Sequence, residues 1–351
     1  MGKILMRLGW GLPLIVFLAF CTPASSPESS LEAPYISGKI NGISLVGNPT
    51  PIAGKDLEPL QRISTNWIAL MPFAYGRFDS SRLTWKDATW QWWGESKEGV
   101  EACVQLAQAK GMQVMIKPQL WFDFGKYTGY FKLEKEGDWQ AFEREYEGFI
   151  LQYAELSEQY NLDLFCIGTE LIAFIENRPE FWTNLIQKIK RVYSGKLTYA
   201  GNWDSYDRVH FWDQLDYLGV DAYFPIADAQ TPDIDACVAG WTKPADEMRD
   251  FAAKHDLQVL FTEWGYRSTD YCCRRPWDYN ENRPMNETAQ ANAIAGVFEG
   301  LWDAPWFAGG FLWKWNAHHA QAGGSKNTRF TPQNKRAEEV IKSYFEAHAA
   351  P

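Results

Sequence analysis

Eight short apolar runs recur along the 351-residue chain, each separated from the next by a segment with helical spacing. They read GKINGISLV, NWIALMPF, MQVMIKPQ, LDLFCIGT, KLTYAGN, LDYLGVDAY, LQVLFTE and GGFLWKW. Trp139, Phe142, Tyr146, Phe149, Tyr153 and Leu156 fall on one helical stripe, and Trp182, Leu185, Ile186, Ile189 and Tyr193 on another. Further helices are expected over 56–65, 95–110, 233–255, 286–303 and 333–348, with a short one near 207–214. Strands that alternate with helices pair in parallel, and eight such units close into a (β/α)8 barrel more readily than they spread as an open doubly wound sheet. No GxGxxG follows the first run, which weighs against a dinucleotide-binding sheet. Composition shows no break, so 35–348 reads as one α/β barrel domain, with inserted loops around 76–94, 120–137 and 266–285.

The first residues belong to something else. Lys3 and Arg7 precede an apolar run from Leu8 to Phe20, which is the pattern of a signal peptide over 1–20 and is short for a membrane span. LAFC, ending at Cys21, is similar to the lipobox of bacterial lipoproteins, in which the cysteine is lipidated, although Phe20 replaces the usual small residue. Cleavage after Ala24 is the alternative, and a Ser/Pro-rich linker fills 21–34. Either route implies an exported protein, held on a bacterial envelope by lipid or released.

Acidic residues outnumber basic ones by 44 to 34, and no Lys/Arg block is present, so a nucleic acid is a poor candidate partner. The 18 Trp suit either a large core or a groove for sugar rings. Of the six Cys, Cys103 and Cys166 sit in apolar patterns and read as buried thiols. Cys272 and Cys273 are adjacent in a polar loop and could bridge each other or reach Cys237. No Cys/His spacing has the form of a zinc site, and His318 and His319 read as loop residues.

An active site in such a barrel forms at the C-terminal ends of the strands. The residues there are Lys117 and Gln119, Glu170, Asn202 and Trp203, Asp221 and Tyr223, Glu263, and Trp313 and Trp315. This polar and aromatic mixture suits a sugar better than a phosphate or a hydride carrier. Glu170 and Glu263 each end an apolar run, and paired carboxylates across a barrel mouth are what glycoside hydrolysis requires. Taken alone, either Glu reads better as a surface acid just past a strand; the two together, each after an apolar run, bring the catalytic reading level with it. Trp313 and Trp315 share a strand parity, which would set both on one face as a sugar platform.

The motifs GTEL at 168–171, GNW at 201–203, TEWGYRS at 262–268 and LWKW at 312–315 together resemble glycoside hydrolase family 113, a clan A family of retaining β-1,4-mannanases. The resemblance runs along most of 39–345; Trp264 and the DYCCRRPWDY loop are less typical of it. It implies that Glu170 is the acid/base and Glu263 the nucleophile of a double displacement on a β-linked oligo- or polysaccharide, with no metal or organic cofactor. The remaining residues at the strand ends would then bind substrate, with Tyr223 orienting Glu263. Two other readings stand beside it: a non-catalytic glycan-binding lipoprotein on the same fold, and a hydrolase of another β-glycan. The presence of both Glu170 and Glu263 disfavours the binder, which has no need of the pair.

Overall fold

A computed structural model describes residues 38–86, 89–123, 126–279 and 282–349. The expected leader 1–20, Cys21 and the linker 21–34 lie outside the described residues. Eight parallel strands form a closed barrel: β1 (Ile40–Leu45), β2 (Trp67–Leu70), β5 (Gln113–Ile116), β7 (Leu164–Thr169), β8 (Lys196–Asn202), β9 (Tyr217–Asp221), β10 (Gln258–Trp264) and β11 (Phe307–Trp315). Each lies within or beside one of the eight apolar runs. The strands are buried over nearly their whole length, because side chains face the barrel axis on one side and the helices on the other.

The helices are α1 (Glu58–Arg62), α2 (Lys97–Gln108), α3 (Glu136–Gln159), α4 (Ile172–Asn177), α5 (Pro179–Val192), α6 (Ile234–Lys254), α7 (Glu287–Val297) and α8 (Arg336–Ala347). The stripe on α3 is buried from Trp139 to Leu156, as its spacing predicts. Trp182, Leu185, Ile186 and Ile189 of α5 are buried in the same manner. Side-chain caps start three helices: Ser96 accepts from the Gly99 amide, Asp233 from Ala236 and Asn286 from Ala289. The short helix expected near 207–214 is instead two 3-10 turns, Tyr206–Arg208 and Trp212–Gln214. Helix α4, directly after Glu170, was not expected.

The loops expected around 76–94 and 120–137 contain regular structure. Strand β3 (Phe73–Gly76) pairs in parallel with β6 (Gln119–Phe122) and antiparallel with β4 (Leu83–Thr84), forming a small sheet beyond the barrel rim. NWIALMPF and MQVMIKPQ therefore each span a barrel strand and the start of a second one. Pro72 and Pro118 divide them, since a proline has no N–H to continue a ladder. Gln119 belongs to this outer sheet and not to the end of a barrel strand.

Candidate active site

Strand irregularities aim the two carboxylates. The pairing of β10 with β9 slips between Phe261 and Glu263, and that of β7 with β8 slips between Cys166 and Thr169. Such bulges re-aim side chains at a barrel rim. On β10 the effect is that neighbouring residues, which ordinarily face opposite ways, serve one cluster: the Thr262 hydroxyl donates to Asp221 at 2.8 Å while Glu263 meets Lys117 and Tyr223. Gly265 follows immediately. A Cβ there would lie 2.4 Å from the Trp313 carbonyl oxygen, so the missing side chain lets β11 close against the site.

Glu170 follows β7 with φ of 53°, in the left-handed region where non-glycine residues are uncommon. The Glu170 amide donates to the Ala200 carbonyl at 2.8 Å, and the Thr128 hydroxyl donates to the Glu170 carbonyl at 3.3 Å. The preceding Thr169 is tied to the Pro118 carbonyl. These contacts from three elements hold the backbone turn that presents the Glu170 side chain.

Glu170 and Glu263 line one cavity of about 1150 Å³ at the C-terminal ends of the strands. Their surroundings differ. Burial pushes the Glu170 carboxyl well above the usual carboxylate range, and the negative charges of Asp221 and Glu263 push the same way against Lys117. Glu263, with its side chain 12% exposed, accepts from the Lys117 ammonium at 2.9 Å through Oε2 and from the Tyr223 hydroxyl through Oε1. The Lys117 ammonium also donates to both oxygens of Asp221, at 2.9 and 3.1 Å. Burial raises Asp221 to about 7 against the pull of Lys117.

Asn202, Trp203, Asp221, Tyr223 and Trp313 face the cavity from the barrel strand ends, and Gln119 faces it from the outer sheet. Lys117 and Trp315 do not. Lys117 is fully buried beneath the floor with its ammonium spent on two carboxylates, so it is a support for Glu263 and not a sugar contact. Trp315 is buried in the core, because the β1 pairing skips a residue of β11 between Leu312 and Trp315 and breaks the parity it was expected to share with Trp313.

The cavity walls carry what strand-end reasoning missed. Six large apolar side chains are exposed among the described residues: Trp90, Trp92, Trp121, Tyr130, Trp277 and Tyr279. All six line this cavity. They come from the three expected loop insertions, where a tally of aromatics per loop was the available signal. Trp277 stacks on Trp203 with ring centres 4.8 Å apart. Flat apolar surface concentrated beside paired carboxylates suits the C–H faces of sugar rings.

The model of Glycoside Hydrolase Family 113 matches residues 48–335. The chain belongs to glycoside hydrolase family 113. Membership makes it a glycoside hydrolase, and the barrel is that of the family's solved structures. The family-113 β-mannanase of Alicyclobacillus acidocaldarius, solved in complex with ManMIm, is similar at 25% identity and a TM-score of 0.77, covering 89% of this chain and 98% of that one. A complex structure of a family-113 β-1,4-mannanase matches at 22% identity and a TM-score of 0.76, over 88% of this chain and 99% of the other, which supports the fold. A β-glucuronidase of Faecalibacterium prausnitzii shares the fold more distantly, at 12% identity and a TM-score of 0.59, over 89% of this chain and 49% of that one. No curated protein matches this family-113 chain significantly.

Proposed function

We propose that this family-113 enzyme is a retaining endo-acting hydrolase of β-1,4-mannan or a closely related β-linked glycan, with Glu170 as acid/base and Glu263 as nucleophile. The observation that carries the reading is the unequal pair in one cavity. Glu170 is driven toward its protonated form, as the donor to a departing glycosidic oxygen must be. Glu263 is gripped from behind and from the side by Lys117 and Tyr223, which orient a carboxylate for attack on the anomeric carbon.

In the first step Glu263 bonds to the anomeric carbon while Glu170 protonates the leaving oxygen. In the second, Glu170, now deprotonated, takes a proton from water as the water displaces Glu263, so the anomeric configuration returns to that of the substrate. Mannan as substrate is supported by the likeness to the Alicyclobacillus acidocaldarius β-mannanase. Endo action is supported by exposed aromatics contributed by loops on several sides of the cavity. Asn202, Trp203, Asp221, Gln119 and Trp313 are assigned to substrate binding or its immediate support. The leader is read as an export signal with lipidation at Cys21; membrane association that survives Cys21→Ser would overturn the anchor.

The test is proton NMR of mannohexaose hydrolysis. The expected first-formed reducing ends are β-anomers that later mutarotate, with products of several lengths. Initial α-anomers would overturn retention, mannose released alone would overturn endo action, and turnover of a different β-glycan with mannan untouched would overturn the substrate.

A further inference from the structure

Beneath the 266–285 insertion lies a cluster of three thiols that the reaction does not use. Cys237 projects from α6, and Cys272 and Cys273 sit in the insertion; all three are buried. The Cys272 sulfur is 3.8 Å from that of Cys273, and Cys237 is the other thiol beside Cys273, near enough for each to perturb the other. Cys273 is thus the middle member. The position is enforced from both sides. Gly296 of α7 leaves room for Cys237, since a Cβ there would lie 2.4 Å from the Cys237 Cβ. The Cys273 carbonyl accepts from the Ile226 amide at 3.1 Å, and the Tyr271 amide donates to Gln230. Among the described residues no group of three or more His, Cys, Asp and Glu side chains could hold a metal ion, so the cluster is not a metal site.

We propose that Cys237 and Cys273 are a disulfide-forming pair that fastens the insertion to α6. Cys272 is the weaker partner for either, because joining adjacent residues closes a small strained ring and Cys237 already meets Cys273. The chemistry is thiol–disulfide exchange with a small-molecule or protein disulfide. The Cys237 thiolate attacks the oxidant and releases one of its sulfurs as a thiolate. The Cys273 thiolate then attacks the mixed disulfide at the Cys237 sulfur and releases the other. The two cysteines lose two protons and two electrons, and the oxidant disulfide becomes two thiols. Since both sulfurs are buried, exchange takes place before the insertion packs down.

The consequence reaches the cleft. Trp277, four residues beyond Cys273, stacks on Trp203 at the cavity wall, so the cross-link would anchor that wall within one short stretch of chain.

The test uses the full chain, refolded from its reduced, denatured state with glutathione and glutathione disulfide, then alkylated and digested without reductant. Mass spectrometry should find the Cys237 peptide joined to the peptide spanning Cys272 and Cys273. The link should persist in Cys272→Ser and vanish in Cys273→Ser. Dithiothreitol should lower the melting temperature of the refolded protein by roughly 5 °C, and should not lower that of Cys237→Ala. An unlinked Cys237 peptide, or a link missing from Cys272→Ser, overturns the assignment; neither readout depends on which glycan is cleaved.

Discussion

The Lys117 ammonium donates to Glu263 Oε2 at 2.9 Å although the two residues are 146 positions apart, and it does so from a fully buried position under the cavity floor. With Asp221 this makes one cation between two carboxylates. Lys117→Met strands both acids without a counter-charge, and breaking such a buried arrangement costs about 3–5 kcal/mol. Urea denaturation should show that loss, and adding Asp221→Leu should recover part of it. An unchanged midpoint in Lys117→Met would remove Lys117 as the support of the site.

Glu170→Gln should lower turnover of a mannooligosaccharide by roughly 10² to 10⁴-fold, the range of a general acid/base group. An aryl glycoside needs little protonation of its leaving group, so its glycosylation step should lose far less, and added azide should restore release of the sugar. Glu263→Ala should abolish turnover of both substrates. Steady-state kinetics on the pair of substrates separates the roles; equal losses on both for Glu170→Gln would contradict its assignment.

The raised Glu170 carboxyl has a consequence for stability as well as for rate. Its folded-state pKa lies above the unfolded value, so the folded chain binds the proton more tightly. That contribution is complete below the unfolded carboxyl range of about 4.3 and is lost as pH rises through the folded value. Glu170→Gln removes the dependence. Melting temperatures should therefore favour the variant over the parent increasingly from pH 4.5 toward neutral, while the parent's activity falls on the alkaline side as Glu170 loses its proton. A constant difference across that range would mean Glu170 is not perturbed.

Trp277→Ala should raise KM for mannohexaose by roughly 3 to 10-fold, the energy of one aromatic contact, with little change for an aryl monoglycoside. Trp92→Ala, on a different loop, should act in the same direction. If both substrates suffer equally, the rings shape the fold and not the sugar path.

The barrel was legible because strands covered on both faces are apolar throughout, and that signal survives without any knowledge of neighbours. Pro72 and Pro118 hid the outer sheet, since a run of apolar residues does not show where its hydrogen-bonding ladder stops. Glu170, Glu263 and Tyr223 were found at strand ends, where the carboxylates do face one cavity. Lys117 was found too but misassigned, because its depth is set by Asp221 and Glu263, more than a hundred residues away. Trp315 shows a related failure: alternation predicts a face only until a bulge intervenes. The aromatic wall depends on how three loops fold over the mouth, and local spacing carries no record of that.

The left-handed turn at Glu170 bears on how this chain could change over generations. A side chain with a Cβ is held there at a cost of order 1–3 kcal/mol, and its carboxyl sits beside two other acids. Replacement by Gly or Asn would relieve the backbone and remove the crowded charge at once. Drift without demand for bond cleavage therefore runs downhill, away from this residue. Under the proposed acid/base role, the glutamate at that position trades stability, which its loss would return, for turnover.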